Sequence, residues 1–265
     1  MDKSQYKNVY VFVEQRDGVV QNVALELLGK ARELADALHE QVVALLLGKG
    51  VKDKADELIA AGADVVLSIE ADELAQYTTE PYAQAITQVI HERKPSILLI
   101  GATSIGRDLG PRLSARIGTG LTADCTGLDI SEDGDLLMTR PAFGGNLMAT
   151  IICKEHRPQM STVRPGVMRA KAADPTRKGK VEEVKINFDK SKFRVRILET
   201  VKEQKNMIDI TEAKVLVSGG RGVGTAEGFQ TLARACRRAR RRSIGFACDG
   251  RCRRSRTRAP GRTNR

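Results

Sequence analysis

Strand-length apolar runs alternate with helix-length amphipathic stretches four times before Gly101, and this repeat constrains the fold more than any other feature. Residues 8–14 read as a first strand, closed by the turn signal Arg16, Asp17, Gly18. From Gln21 the apolar spacing becomes helical, with Val23, Leu27, Ala31, Leu34 and Leu38 on one stripe. Residues 42–47 form a second apolar run, and residues 51–61 a second helix with Gly62 as a left-handed stop. Residues 65–69 read as a third strand, 81–93 as a third helix and 96–100 as a fourth strand. Short connections and regular alternation predict an α/β fold: a doubly wound parallel sheet with right-handed crossovers.

Beyond Gly120 the rhythm changes. Residues 125–130, 136–142, 148–153 and 159–163 are short strand-like runs, with a hairpin signal at Asp133 and Gly134. They are expected to extend or flank the sheet. Residues 169–180 are polar, with Pro and Gly, and read as a surface excursion or linker, whereas 181–188 and 194–201 look like further strands. Residues 213–218 give a fresh buried-strand signal, followed by the glycine-rich run from Gly219 to Gly224, so a second domain is expected to open there.

Charge divides the chain near Ala233. Of 44 basic and 33 acidic residues, 13 Arg and a single acid, Asp249, fall within 234–265, leaving 31 basic and 32 acidic residues elsewhere. The basic character therefore belongs to the tail, and the body carries no bias toward nucleic acid or membranes. The low aromatic content (4%) and abundant small and aliphatic residues suit buried parallel strands. No apolar run approaches the ~20 residues that span a bilayer, and the first residues resemble neither a signal nor a transit peptide. Only Cys125 and Cys153 lie outside the tail, which argues against a disulfide framework and for a reducing cytoplasm.

Two glycine-bearing turns are candidate sites. Residues 101–108 leave the fourth strand and enter a helix, but Arg107 and Asp108 stand where a phosphate-gripping loop needs Lys and Ser or Thr. Thr103 or Ser104 is expected to cap that helix. Arg107, Arg112 and Arg116 follow at helical spacing, and surface ion pairs and a ligand role both stay open for them. The second turn, Ser218, Gly219, Gly220, Arg221, Gly222, can present backbone N–H groups to a pyrophosphate. It departs from the dinucleotide fingerprint because Thr225 replaces the last Gly, so a plain tight turn stays open beside phosphate binding. His39, His91 and His156 are scattered, the first two near expected helix C-termini. No spacing here predicts a metal site, a nucleophile or an acid–base pair, and the body reads as a binding or carrier module rather than a hydrolase.

Residues 101–116 (GATSIGRDLGPRLSAR), 120–125 (GLTADC), 140–146 (RPAFGGN), 157–168 (RPQMSTVRPGVM) and 218–222 (SGGRG) together resemble the electron transfer flavoprotein alpha subunit, bacterial type. The resemblance runs in order from about Tyr6 to Leu232. It implies an adenine nucleotide alpha hydrolase-like N-terminal domain that holds no cofactor, and a second α/β domain that holds FAD. It implies a heterodimer with a beta subunit, carrying electrons from acyl-CoA dehydrogenases to a downstream acceptor, and in some anaerobic relatives splitting electron pairs from NADH. Ser218, Gly219, Gly220, Arg221 and Gly222 become cofactor-binding residues, with Arg221 beside the flavin. Arg107, Arg140 and Arg164 become interface or hinge residues. No catalytic or metal residue is implied.

The family continues after this turn through a Ser-Arg segment, a QVGQTG-like loop and a GISGAIQH-like helix start, none of which occurs in this sequence. The expected organisation is therefore an N-terminal α/β domain over 1–205, an incomplete start of the FAD domain over 206–233, and a disordered Arg-rich tail over 234–265. A reading-frame change near codon 233 accounts for such a tail, and FAD is expected to bind this chain weakly or not at all. A standalone small-molecule or nucleotide-binding α/β module, and a polyanion binder acting through the tail, are the competing expectations.

Overall fold

The computed structural model describes residues 3–200, 216–239 and 245–248. Two compact units divide between Arg196 and Ile197. In the first, after a 3-10 turn at Lys3–Gln5, come β1 (Val9–Val13), the two-residue strands β2 (Gln15–Arg16) and β3 (Val19–Val20), α1 (Asn22–Leu38), β4 (Val42–Gly48), α2 (Ala55–Ala60), β5 (Val65–Glu70), α3 (Thr79–Arg93), β6 (Ile97–Gly101) and α4 (Ser104–Ile117). Strands β7 (Leu121–Cys125), β8 (Gly127–Ile130), β9 (Leu136–Ala142), β10 (Leu147–Ile151), β11 (Gln159–Val163) and β12 (Lys180–Glu183) complete it.

Seven strands form one sheet in the order β12-β5-β4-β1-β6-β11-β7, with every pairing parallel. The doubly wound α/β expectation is met. Burial explains it: successive residues of a strand face opposite sides, so a strand covered on both faces must be apolar throughout. Val9, Val11 and Val13 join the core beneath α1, while Tyr10 and Phe12 join the core beneath α3 and α4. β4 divides the same way, with Val42, Ala44 and Leu46 on one side and Val43, Leu45 and Leu47 on the other. Each fully buried Leu contributes about 2 kcal/mol of transfer free energy, which holds both layers on the sheet.

Several local expectations are corrected. The stretch 51–61 splits into a 3-10 turn at Lys52–Lys54 and the short α2, and Gly62 has φ 128°, outside the left-handed helical well. Residues 121–125 form β7, and the antiparallel hairpin β8–β9 turns at Asp133 and Gly134 as expected. β8, β9 and β10 make a separate three-stranded sheet, while β11 and β7 extend the main one. Residues 184–188 and 194–200 form no strand; Ile186 and Phe188 instead pack on the α3 layer, and Gln84 and Gln88 hold the backbone there. The expected domain boundary at 205/206 lies outside the described residues.

The second unit contains β13 (Leu216–Gly219), a 3-10 turn (Arg221–Val223), α5 (Ala226–Ala239) and β14 (Gly245–Cys248), and β14 pairs parallel with β13. Residues 213–215 of the expected strand lie outside the description. The expectation that 234–265 lacks structure is corrected for 234–239 and 245–248. Arg and Ala are strong helix formers, and cations near a helix C-terminus are favourable, so α5 runs on past Ala233.

Candidate functional site

The glycine-rich turn lies at the carboxyl end of β13, where it leads into α5. Thr225 caps the helix, accepting from Gly228 N at 3.3 Å, and Val223 N donates to Gly220 O at 3.1 Å. Different glycines are required for different reasons. A Cβ on Gly228 would lie 2.6 Å from the backbone atom Val223 O, so Gly228 is fixed by close packing of α5, whereas a Cβ on Gly219 would meet Leu232 Cδ1 at 2.3 Å, a side-chain end that would have to shift. Gly224 has φ 67°, the left-handed region. Gly220 and Gly222 differ: a Cβ at either would meet nothing within 4 Å, and neither has positive φ. Gly228, inside the first turn of α5, lets the helix close onto Val223 of the preceding turn. Ser218 is exposed.

In the first unit the arginines singled out from the sequence separate into two groups. Arg112 and Arg116 reach back to Glu80 of α3, at 2.9 and 2.6 Å, which is the ion-pair reading. Beside them Asp108 accepts from Tyr77 Oη at 2.7 Å and Thr79 Oγ1 at 2.6 Å. Arg107 turns the other way. Its Nε donates to Ala102 O at 3.0 Å and its Nη2 lies 3.6 Å from Asp124 Oδ1. Arg164, just past β11, grips both oxygens of Asp124, at 3.2 and 2.7 Å. Arg140 acts on the same carboxylate through space. Hydrogen bonding from Arg164, then the charges of Arg107 and Arg140, hold Asp124 below the usual carboxylate range against partial burial. Arg107 and Arg164 therefore converge on one residue that the sequence did not flag, while Arg140 follows Thr139, whose carbonyl accepts from Thr126 N at 2.8 Å just past β7. Asp124 takes φ 60°, steadied by its N–H donating to Thr162 Oγ1 at 2.9 Å.

A second carboxylate marks the crevice where the strand order reverses, between β1 and β6, the usual ligand position of open α/β sheets. Glu14 is 2% exposed there, accepting from Arg16 and from Thr103, the residue that caps α4 through Gly106 N at 3.1 Å. The crevice is thus occupied by the chain's own ion pair. A cleft of about 600 Å³ at the other end of the sheet is lined by Arg32, Asp64 and Arg177, and both arginines pair with Asp64. Among the described residues no group of three or more His, Cys, Asp or Glu could hold a metal ion, and no helix is long and apolar enough to cross a membrane. His39 is the C-cap of α1 and His91 lies in the last turn of α3.

A doubly wound parallel sheet in the first unit, and a strand, glycine turn and helix in the second, define an α/β protein. The electron transfer flavoprotein domain matches residues 9–189, and the chain belongs to the electron transfer flavoprotein family. It is 52% identical over 229 residues to the electron transfer flavoprotein subunit alpha of Thermoanaerobacterium thermosaccharolyticum, covering 86% of this chain and 69% of that protein. With the subunit alpha of Clostridium acetobutylicum it shares 53% over 235 residues, 88% and 70% of the two chains. With the lactate dehydrogenase (NAD(+),ferredoxin) subunit LctC of Acetobacterium woodii it shares 44% over 223 residues, 84% and 53% of the two. The chain is an electron-transfer subunit by this kinship.

Proposed function

We propose that this chain is the alpha partner of a cytoplasmic heterodimeric electron transfer flavoprotein, a carrier without substrate turnover of its own. Its intact counterpart moves electrons between acyl-CoA dehydrogenases and a downstream acceptor; the likeness to LctC, named for NAD(+) and ferredoxin, keeps electron bifurcation within the same reading. The observation that carries it is the pair Gly220 and Gly222, whose lack of side chain neither packing nor backbone conformation explains. Close approach of a ligand to the main chain does explain it. Ser218, Gly219, Gly220 and Gly222 would face the FAD pyrophosphate, and Arg221 would counter negative charge on the reduced ring. FAD, when bound, supplies the store for the electrons.

One turn and one arginine give few of the convergent groups a buried dinucleotide needs. The change of composition after Ala233 reflects an altered reading frame, which would replace the family's later flavin-binding motifs and weaken the hold on FAD. Pairing with a beta subunit is supported by β10, an edge strand whose Leu147 and Met148 are 58% and 60% exposed. The test is co-expression with the beta subunit of its own organism. A heterodimer should form, with flavin lost on dialysis, and Leu147→Asp with Met148→Asp should abolish pairing without lowering the melting temperature of the free chain. Retained stoichiometric flavin would refute the weak-binding part, and absence of any heterodimer would refute the pairing. Coding DNA that fails to restore the missing motifs in another frame would refute the frame change.

A further inference from the structure

Arg112 and Arg116 border a cleft as well as Glu80. Arg112 Nη2 donates to Glu80 Oε2 at 2.9 Å and Arg116 Nη2 to Oε1 at 2.6 Å, so each guanidinium spends one nitrogen and the carboxylate fixes both. Arginine carries five N–H donors, which leaves most of them for another acceptor. The cleft holds about 490 Å³, and Lys192, Phe193 and Arg194 form its far side. That volume suits a small ligand.

Among the described residues four cations and one anion, Glu80, line the cleft. Two carboxylates lie close by: Asp189 pairs with Lys192 at 3.0 Å, and Asp108 accepts from Tyr77 and Thr79. The three carboxylates offset three of the four positive charges. Arg194 has no hydrogen-bond or ion-pair partner among the described residues. The segment that carries it is tied down. Lys190 pairs with Glu73 at 2.6 Å, Gln84 bonds both backbone groups of Asp189, and the Phe193 ring meets Phe188 edge-on, 6.2 Å between centroids. An unpartnered guanidinium on an anchored segment needs little further ordering to bind. Pro81, Phe193 and Val195 give the same cleft an apolar side.

We propose that this cleft binds a small organic phosphate ester. Arg112, Arg116 and Arg194 take the phosphate, and Pro81, Phe193 and Val195 cover the carbon body. Guanidinium groups suit phosphate because each planar fork offers paired N–H donors to two oxygens. A phosphate also brings three acceptor oxygens and nearly two negative charges, which three arginines can share and a carboxylate cannot match. None of these residues belongs to the glycine turn, so the inference stands whether or not the chain holds flavin.

The experiment is calorimetric titration of the full chain with phenyl phosphate, and with inorganic phosphate and phenol as separate probes, at constant ionic strength. Phenyl phosphate should bind, inorganic phosphate should bind about tenfold more weakly for want of the ring contact, and phenol should give no measurable heat. Arg194→Gln removes a charge-assisted contact and should weaken phenyl phosphate about tenfold. Its melting temperature should match the wild type, because the side chain holds nothing else in the described fold. Phe193→Ala should narrow the gap between phenyl phosphate and inorganic phosphate. Phosphate gathered by the arginines of 234–265 or by the glycine turn would be unaffected by Arg194→Gln. Equal phenyl phosphate affinities for wild type and Arg194→Gln would therefore overturn the proposal, as would a wild type that binds no phenyl phosphate.

Discussion

Arg164 holds Asp124 with two hydrogen bonds, Nη2 to Oδ2 at 2.7 Å and Nε to Oδ1 at 3.2 Å, and so joins the ends of two neighbouring parallel strands. Asp124 serves twice, as an anion and as a residue at φ 60°. Asp and Asn tolerate the left-handed region better than other non-glycine residues. Asp124→Asn should therefore cost only the ion pair, about 1 kcal/mol at this half-open position. Asp124→Ala should cost roughly 1 kcal/mol more for the backbone. Because its carboxyl titrates below the usual range when folded, this stabilisation is present above the unfolded pKa and fades as the pH falls through the folded one. Urea midpoints of the two variants at pH 7 check the difference; equal losses would refute the backbone share.

Glu80 makes a larger pH-dependent contribution. Burial alone would raise its carboxyl, but hydrogen bonds from Arg116, Arg112 and Gln84 outweigh that and hold it at about 2, against 4.5 for a free side chain. A depressed folded pKa stabilises above the unfolded value and is lost as the pH falls from about 4.5 to about 2. Half-exposure of Arg112 reduces the effect, so Glu80→Gln should cost about 2 kcal/mol at pH 7. Denaturant titrations should converge for wild type and variant near pH 2. A gap that persists unchanged to that pH would rule out the ion pairs as its source.

What was legible in the sequence was the part in which burial alone dictates the pattern. β1, β4, β5 and β6 are apolar on both faces, and their runs end where the structure ends them, within a residue or so. β7 was not legible, because Thr122 and Asp124 interrupt its apolar run and Asp124 breaks the extended backbone. Residues 194–200 have strand-like composition, but a strand exists only if a neighbour supplies its hydrogen bonds, and composition does not show that. The interface reading of Arg107 and Arg164 came from resemblance. Their common anchor went unseen, since a single Asp in an irregular strand end carries no periodic signal. Helix α5 was obscured by its arginines, although Gly228, Phe229, Leu232 and Ala233 form its half-buried stripe.

Gly106 lies in the first turn of α4, pressed onto the end of β6. A Cβ there would come within 1.8 Å of Gly101 O, a backbone atom that cannot turn aside. Gly106→Ala should destabilise by about 3 kcal/mol or more, by forcing helix and strand apart. Gly118→Ala, at φ 74° with open space around it, should cost only about 1 kcal/mol. Thermal melts of the two variants check the order, and a Gly118 variant as damaged as the Gly106 one would contradict the steric account.

Gln84 and Gln88 act as a makeshift strand edge on α3. Gln84 both donates to Asp189 O at 3.1 Å and accepts from Asp189 N at 2.9 Å, while Gln88 accepts from Asn187 N at 3.2 Å. The match is geometric: four helical residues advance about 6 Å, and two extended residues about 6.6 Å. Gln84→Ala should cost roughly 0.5–1 kcal/mol. Its clearer signature is faster hydrogen exchange at the amide of Asp189, with β1 amides unchanged. Unaltered exchange at Asp189 would mean that apolar contacts of Ile186 and Phe188 hold the segment without the glutamines.

Asp135 and Arg157 form a buried pair at 2.6 Å, with side chains 9% and 10% exposed, where the three-stranded sheet joins the core. Gln159 completes the group, donating to Asp135 Oδ1 at 3.2 Å and accepting from Leu136 N at 2.9 Å. Arg157 also donates to the carbonyls of Cys153 at 3.3 Å and His156 at 3.1 Å, which fixes the chain between β10 and β11. Removing one partner strands the other's charge without solvent. Asp135→Ala should therefore cost about 3–5 kcal/mol. In Asp135→Ala with Arg157→Met no charge is left behind, so the double variant should lose less than the two single losses combined, by about 2 kcal/mol or more. A double-mutant cycle in guanidinium chloride measures that coupling. Strict additivity would mean that water reaches the pair, and that the junction is held by Gln159 and the backbone instead.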